Sequence, residues 1–278
     1  MTDVASLSFL AGFSGLIGVL VGSFLNVVIH RVPAGLSVVR PRSSCPNCGS
    51  AIRSFDNVPV VSWLLLGGRC RDCRTPISPR YPLVELATGL LFAVVALWTV
   101  SGRQSMPAAD SASILLVLAF LYLMAISVAL TMIDLDTHRL PNAVVLPAYP
   151  VMLTLLAAAS ALSGDWGALL RGVSGMFALA AVYLLLALAV PGGMGFGDVK
   201  LAGVIGLALA YLGWGPLAVG SFGAFLLGGS FAIVLVVTRR AGRRSGIPFG
   251  PWMVGGAWIG IFFGAGIWNS YLALIGLA

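Results

Sequence analysis

Charge is what this sequence has least of. Only 9% of its 278 residues are Asp, Glu, Lys or Arg, whereas soluble domains carry about 25%. Polar sequence is scarce too: residues 34–81 form the only sizeable polar segment. These shortages exclude an ordinary soluble globule. The start also lacks the basic region of a cleavable signal peptide, carrying Asp3 before an apolar run too long for one. It is read as a membrane helix. No internal repeat or low-complexity segment is evident.

What is present is apolar: 59% of the residues are hydrophobic, with 35 glycines. Runs of about the 20 residues needed to cross a bilayer fall at 7–29, 82–100, 113–134, 143–162, 168–190, 199–214, 217–238 and 249–272. The expected fold is an all-α, polytopic membrane bundle of about eight transmembrane helices. The 199–214 run is the weakest, being short and ending in Gly213, Gly215 and Pro216.

The net charge of +7 is topological and does not point to nucleic acid. With the N-terminus and C-terminus outside, 14 of the 16 Lys and Arg fall in segments on the cytoplasmic side, leaving only Arg103 and Arg171. This is the positive-inside bias. The cluster Arg239, Arg240, Arg243 and Arg244 is then an anchor for anionic lipid headgroups.

All four cysteines lie in the polar segment, as Cys45-Pro46-Asn47-Cys48 and Cys70-Arg71-Asp72-Cys73. Two such pairs match the spacing of a tetrahedral zinc site. Two disulfides would be the competing reading, but the charge topology places the loop in a reducing compartment. A segment of about 50 residues buries little core by itself, so a structural zinc held by Cys45, Cys48, Cys70 and Cys73 is expected. Three regions follow: a first helix at 1–30, a zinc-stapled cytoplasmic loop domain at 31–81, and a membrane domain at 82–278.

The stretch Pro191 to Lys200 holds four glycines, then Asp198 and Lys200. An ionisable group at a membrane segment is a functional candidate, although Asp198 also suits the N-cap of a helix starting near Val199. A second carboxylate, Asp134, ends the third apolar run on the same membrane face, with Asp136 close by. Pro141 follows as a helix stop and Asn142 as a cap for the next helix. Gly195 and Gly197 would let substrate or another helix approach Asp198. Lys200 could pair with a headgroup or tune Asp198. Ser23 and Asn26, three apart in the first helix, suit hydrogen bonding to a neighbouring helix. Glu85, just inside the second, suits an interfacial Arg partner or a functional role.

Taken in order, GSFLNVVIHRVP at 22–33, CPNC, NVPVVSWL at 57–64, CRDC, RYPLVE at 80–85, IDLDTHRLPN at 133–142, GMGFGDVKL at 193–201 and IPFGP at 247–251 carry a resemblance. Together they resemble the bacterial type IV prepilin peptidases, within the GxGD membrane aspartic proteases. The resemblance implies catalytic aspartates at Asp134, seven residues before Pro141, and at Asp198 of the GxGD motif. It implies removal of leaders from prepilin-like or pseudopilin substrates after a glycine on the cytoplasmic side of the inner membrane. It also implies methylation of the new N-terminal residue from S-adenosylmethionine, an activity linked to the tetracysteine region. Asn142 departs from the Asp that many members carry there.

On the residues themselves, helix polarity assigns Asp198, at a helix start, as the base, and Asp134, at a helix end, as the partner that begins protonated. No glycine-rich strand–turn–helix is present for a methyl donor, so Glu85 is only a candidate there. An ion-coupled transporter also places carboxylates at broken helices but has no reason for a zinc-stapled loop. A scaffold of a secretion or pilus apparatus would explain the loop but not the paired aspartates.

Overall fold

The computed structural model describes residues 4–101, 111–189, 194–239 and 248–277. Pro191, Gly192, Gly193, Arg103, Arg240, Arg243, Arg244 and Ile247, all singled out in the sequence, lie outside them. Among the described residues the chain is helical, its only β pairing being two isolated bridges. The helices are α1 (Val4–Arg31), α2 (Val61–Leu65), α3 (Arg80–Ser101), α4 (Ser111–Thr137), α5 (Asn142–Ser163), α6 (Trp166–Ala189), α7 (Phe196–Leu212), α8 (Trp214–Val237) and α9 (Gly250–Leu274).

Seven of them, α1, α3, α4, α5, α6, α8 and α9, are long and apolar enough to cross a membrane. The eighth apolar run becomes α7, whose 17 residues reach about 25 Å at 1.5 Å per residue. That is short of a hydrocarbon core of about 30 Å. Its middle is buried instead: every residue from Leu201 to Tyr211 is shielded by other helices.

The contacts divide the chain into two compact units. Residues 1–113 and 120–129 form the first. Here α1 packs on α3 through small residues at fourfold spacing. A Cβ at Gly22 would stand 2.8 Å from the Glu85 Cα, so only glycine lets the two backbones approach. In lipid, where burial of apolar side chains gives no net drive, such close van der Waals seams hold helices together. Asn26 Nδ2 donates to the Tyr81 carbonyl at 3.1 Å, the role expected of a polar residue on that face. The loop between α1 and α3 has its own fastening: Trp63 Nε1 donates to the Ile77 carbonyl, and Ser62 Oγ to that of Phe55.

This loop also contains a short repeat that the sequence reading missed. Cys45 N–H bonds to Ser50 O and Gly49 N–H to Cys45 O; 25 residues on, Cys70 N–H bonds to Thr75 O and Arg74 N–H to Cys70 O. The bridges Ser44–Ala51 and Arg69–Pro76 keep the same offset. Gly49 and Arg74 both take positive φ. The repeat is hidden because the pieces share only their cysteines and hydrogen-bond pattern, and an arginine fills the position where glycine is the comfortable residue.

Residues 114–119 and 130–278 form the second unit. There α6 pairs with α7, and α8 with α9. The α8–α9 seam repeats the small-residue device, Gly256, Gly260 and Gly264 facing Ala224, Gly220 and Pro216. The far end of α7 is capped by Arg171, whose Nε and Nη2 donate to the carbonyls of Ala210 and Tyr211 at 2.8 and 2.9 Å. A cation satisfying the last carbonyls also complements the helix dipole, which explains one of the two cations left out of the charge bias.

Candidate active site and cysteine cluster

Asp198 and Asp134 are both placed by glycines at helix starts. The helix α7 begins at Phe196, earlier than expected, so Asp198 is its third residue and not its N-cap. Its Oδ2 accepts the N–H of Gly195 at 3.0 Å, half of the reciprocal arrangement of a capping box. Asp134 lies one turn before the end of α4, and its Oδ2 accepts the N–H of Gly250, the first residue of α9, at 2.9 Å. The two side chains are 4% and 9% exposed for Asp134 and Asp198. They lie within electrostatic reach of one another. Among the described residues neither Oδ1 has a partner.

The bond from Gly250 removes the premise for the polarity argument. Asp134 does sit at the end of α4, but it also faces the start of α9 just as Asp198 faces the start of α7. Helix polarity therefore does not separate base from acid.

Sequence reasoning passed over two residues here. Gly250 appeared only inside IPFGP. A Cβ on it would fall 2.7 Å from Asp134 Oδ2, so glycine is the residue that lets α9 reach the carboxylate. Leu140 appeared only inside IDLDTHRLPN. A Cβ on Gly197 would stand 2.9 Å from the Leu140 Cβ, and one on Gly250 3.3 Å from its Cδ2, so this side chain joins the starts of α7 and α9. Gly195 is under less steric demand: a Cβ there would meet Asp198 Oδ2 at 3.4 Å.

Asn142 is the first residue of α5 and not its cap, which is Pro141. Its Oδ1 accepts from Lys200 Nζ at 2.9 Å, giving Lys200 a protein partner. Tyr149 donates to the Lys200 carbonyl at 2.6 Å, so α5 grips the first turns of α7 at two points. Asp136 lies in the exposed last turn of α4, while the backbone closes over Asp134 through the His138 N–H.

In the first unit, the thiols of Cys45, Cys48, Cys70 and Cys73 lie within 4.8 Å of one another, and none forms a disulfide. The Sγ atoms of Cys45 and Cys73 are 3.7 Å apart. A tetrahedron with bonds of about 2.3 Å has edges of about 3.8 Å, so the donor set fits a metal ion. Thr75 beside Cys73, by its hydroxyl and its backbone, holds that thiol down at about 6, which favours the thiolate a metal needs. Around the cluster, Arg71 makes a two-pronged pair with Asp56 at 2.8 and 2.6 Å and lies 5.3 Å over the Phe55 ring.

Glu85 has a different partner from the arginine expected. Buried at the start of α3, its Oε2 accepts the N–H of Val60 at 2.7 Å. Val60 has φ of 61°, a strained conformation for a β-branched residue. The carboxylate thus anchors the turn into α2.

With this geometry in view, the chain was compared with known proteins. The profile of the Bacterial Peptidase A24 N-terminal domain matches residues 16–99, and that of the Type IV leader peptidase family matches residues 121–233. The chain belongs to the type IV leader peptidase family. It is 36% identical to a prepilin leader peptidase/N-methyltransferase of Aeromonas salmonicida, over 94% of this chain and 93% of the relative. The protein of the same name from Pseudomonas aeruginosa gives 36% over 94% and 93%, and that from Neisseria gonorrhoeae 35% over 97% and 96%. No solved structure matches significantly. The two matched profiles divide the chain so that the cysteines fall in one and both aspartates in the other.

Proposed function

We propose that this chain is a membrane aspartic endopeptidase that removes the leader from prepilin-like proteins, with Asp134 and Asp198 as its catalytic pair. The observation that carries the reading is the pair itself: two buried carboxylates within electrostatic reach, each fixed through one oxygen by a glycine N–H. Buried carboxylates this close share one proton, since both do not ionise together. The ionised one takes a proton from water as its oxygen adds to the scissile carbonyl carbon. The protonated one supplies its proton to the carbonyl oxygen. Collapse of the tetrahedral intermediate breaks the C–N bond and returns the protons to the amine and the pair. The two titrations belong to the pair and to neither residue alone.

Gly195 and Gly197 support the start of α7, and Lys200 ties it to Asn142. The four cysteines hold a structural zinc, since four thiolates leave no open position for chemistry. Methyl transfer to the new N-terminal residue, by analogy with the relatives' name, belongs to the region at 31–81. S-adenosylmethionine would supply the methyl group. The described residues hold no strand–turn–helix to receive it, and the Glu85 carboxylate already binds Val60, so no residue is assigned to that donor. The catalytic face is cytoplasmic in the bacterial inner membrane, with both termini outside.

The test is mass spectrometry of a co-expressed prepilin-like substrate with wild type, Asp134→Asn and Asp198→Asn. Loss of the leader with wild type alone supports the pair. A further methyl mass on the product supports the second activity. Intact substrate with all three folded proteins overturns the reading.

A further inference from the structure

One buried polar group in the second unit is left without a purpose by the pair of aspartates. Tyr183 lies in α6, six residues before its end, and is 1% exposed. In sequence it is one more residue of an apolar run. Its ring packs against Phe225 at 5.5 Å and Phe249 at 6.3 Å between centroids, and these two meet each other at 5.5 Å. Phe249 is the N-cap of α9, next to the Gly250 that binds Asp134. Tyr183 is also within electrostatic reach of Asp198. The aromatic stack thus ties the Tyr183 ring, through Phe249, to the helix start that holds Asp134.

A buried tyrosine hydroxyl usually finds a hydrogen-bond partner, because leaving one unmade costs about 1–3 kcal/mol. Among the described residues this hydroxyl makes none, yet it is not among the fully enclosed orphans, which are Thr131, Ser221 and Trp252. It is therefore unpartnered without being fully sealed. A phenylalanine would fill the same stack without that cost.

We propose that Tyr183 is a third catalytic residue, whose hydroxyl donates a hydrogen bond to the scissile carbonyl oxygen as the tetrahedral intermediate forms. The phenol keeps its proton throughout. The π electrons of the carbonyl move onto the oxygen as the water oxygen bonds to carbon, and the aspartate pair carries both proton transfers. A fixed donor aimed at developing charge lowers the barrier without itself reacting. This rests on the aspartic peptidase reading, so wild type and Asp198→Asn are run in the same assay.

The experiment is steady-state cleavage of a prepilin-like peptide by purified Tyr183→Phe, with Phe225→Leu as the packing control. The expected result is a fall in kcat of about 10²-fold, with KM within about twofold of wild type and a Tm no lower than that of wild type. The Phe225→Leu variant disturbs the same stack but retains the hydroxyl, and is expected to keep kcat within about threefold. A Tyr183→Phe enzyme with near wild-type kcat, a loss confined to KM, or an equal loss in Phe225→Leu overturns the proposal. If wild type itself cleaves nothing, the failure lies with the peptidase reading and not with Tyr183.

Discussion

A glycine N–H is a fixed donor: it cannot swing away as a side chain can, and it brings no bulk of its own. The protein uses two of them, at Gly195 and Gly250, to hold the buried carboxylates of Asp198 and Asp134. Gly250 carries the stricter demand, because its Cβ position is 2.7 Å from the Asp134 oxygen it serves. Gly250→Ala is therefore expected to push Asp134 aside and lower leader cleavage by about 10²-fold, the usual cost of a displacement near 1 Å. Cleavage kinetics check this, with Tm measured alongside; unchanged kcat would show that the N–H is dispensable. Gly197→Val crowds Leu140 in the same way and is expected to impair cleavage while the protein still inserts. The wild-type rate should follow a bell-shaped pH profile, as a pair sharing one proton requires. A flat profile from pH 4 to 9 would argue against it.

At the scale of elements, the tetracysteine loop and the membrane helices obey different rules. The loop has little apolar core, so its four-cysteine metal site and its ion pairs define it. Replacing Cys45 or Cys73 by Ser is expected to remove bound zinc, melt the segment at 31–81 and abolish methyl transfer, while leader cleavage by the second unit survives. Metal analysis and the product mass read the two effects separately. The Asp56–Arg71 pair adds a pH dependence of known sign. Arg71 holds the Asp56 carboxyl below its ordinary value, so the pair's support is complete above about pH 4 and is lost as pH falls through the lowered value. Asp56→Asn should flatten the acid limb of the loop's unfolding curve, measured by Trp63 fluorescence. An identical limb would show that the pair, being at the surface, adds nothing.

For the whole molecule, the prediction concerns topology. Reporter fusions should report the segment at 31–81 in the cytoplasm and position 278 outside. A C-terminus on the same side as the 31–81 segment would instead mean that α7 does not cross. The length of α7, at 17 residues, makes this the informative helix. The burial of its residues from Leu201 to Tyr211 lets it be short, because its neighbours and not lipid surround that stretch. The positive-inside count, the cysteine spacing and the GxGD and IDLDTHRLPN motifs were all readable because they are local or additive properties of the chain. Leu140, Gly250 and Tyr183 were not, because nothing within a few residues of any of them signals what it touches.

The sequence by itself determined a polytopic helical membrane protein and a cluster of four cysteines, since composition, periodicity and short spacings encode each directly, and it singled out Asp134 and Asp198 through a family resemblance. Only the tertiary structure decided that Asp134 meets the start of α9, that Lys200 pairs with Asn142 and that Glu85 holds Val60. Those partners are 116, 58 and 25 residues apart, and contacts at such separations are set by how glycine seams let helices close on one another. No window of sequence records that.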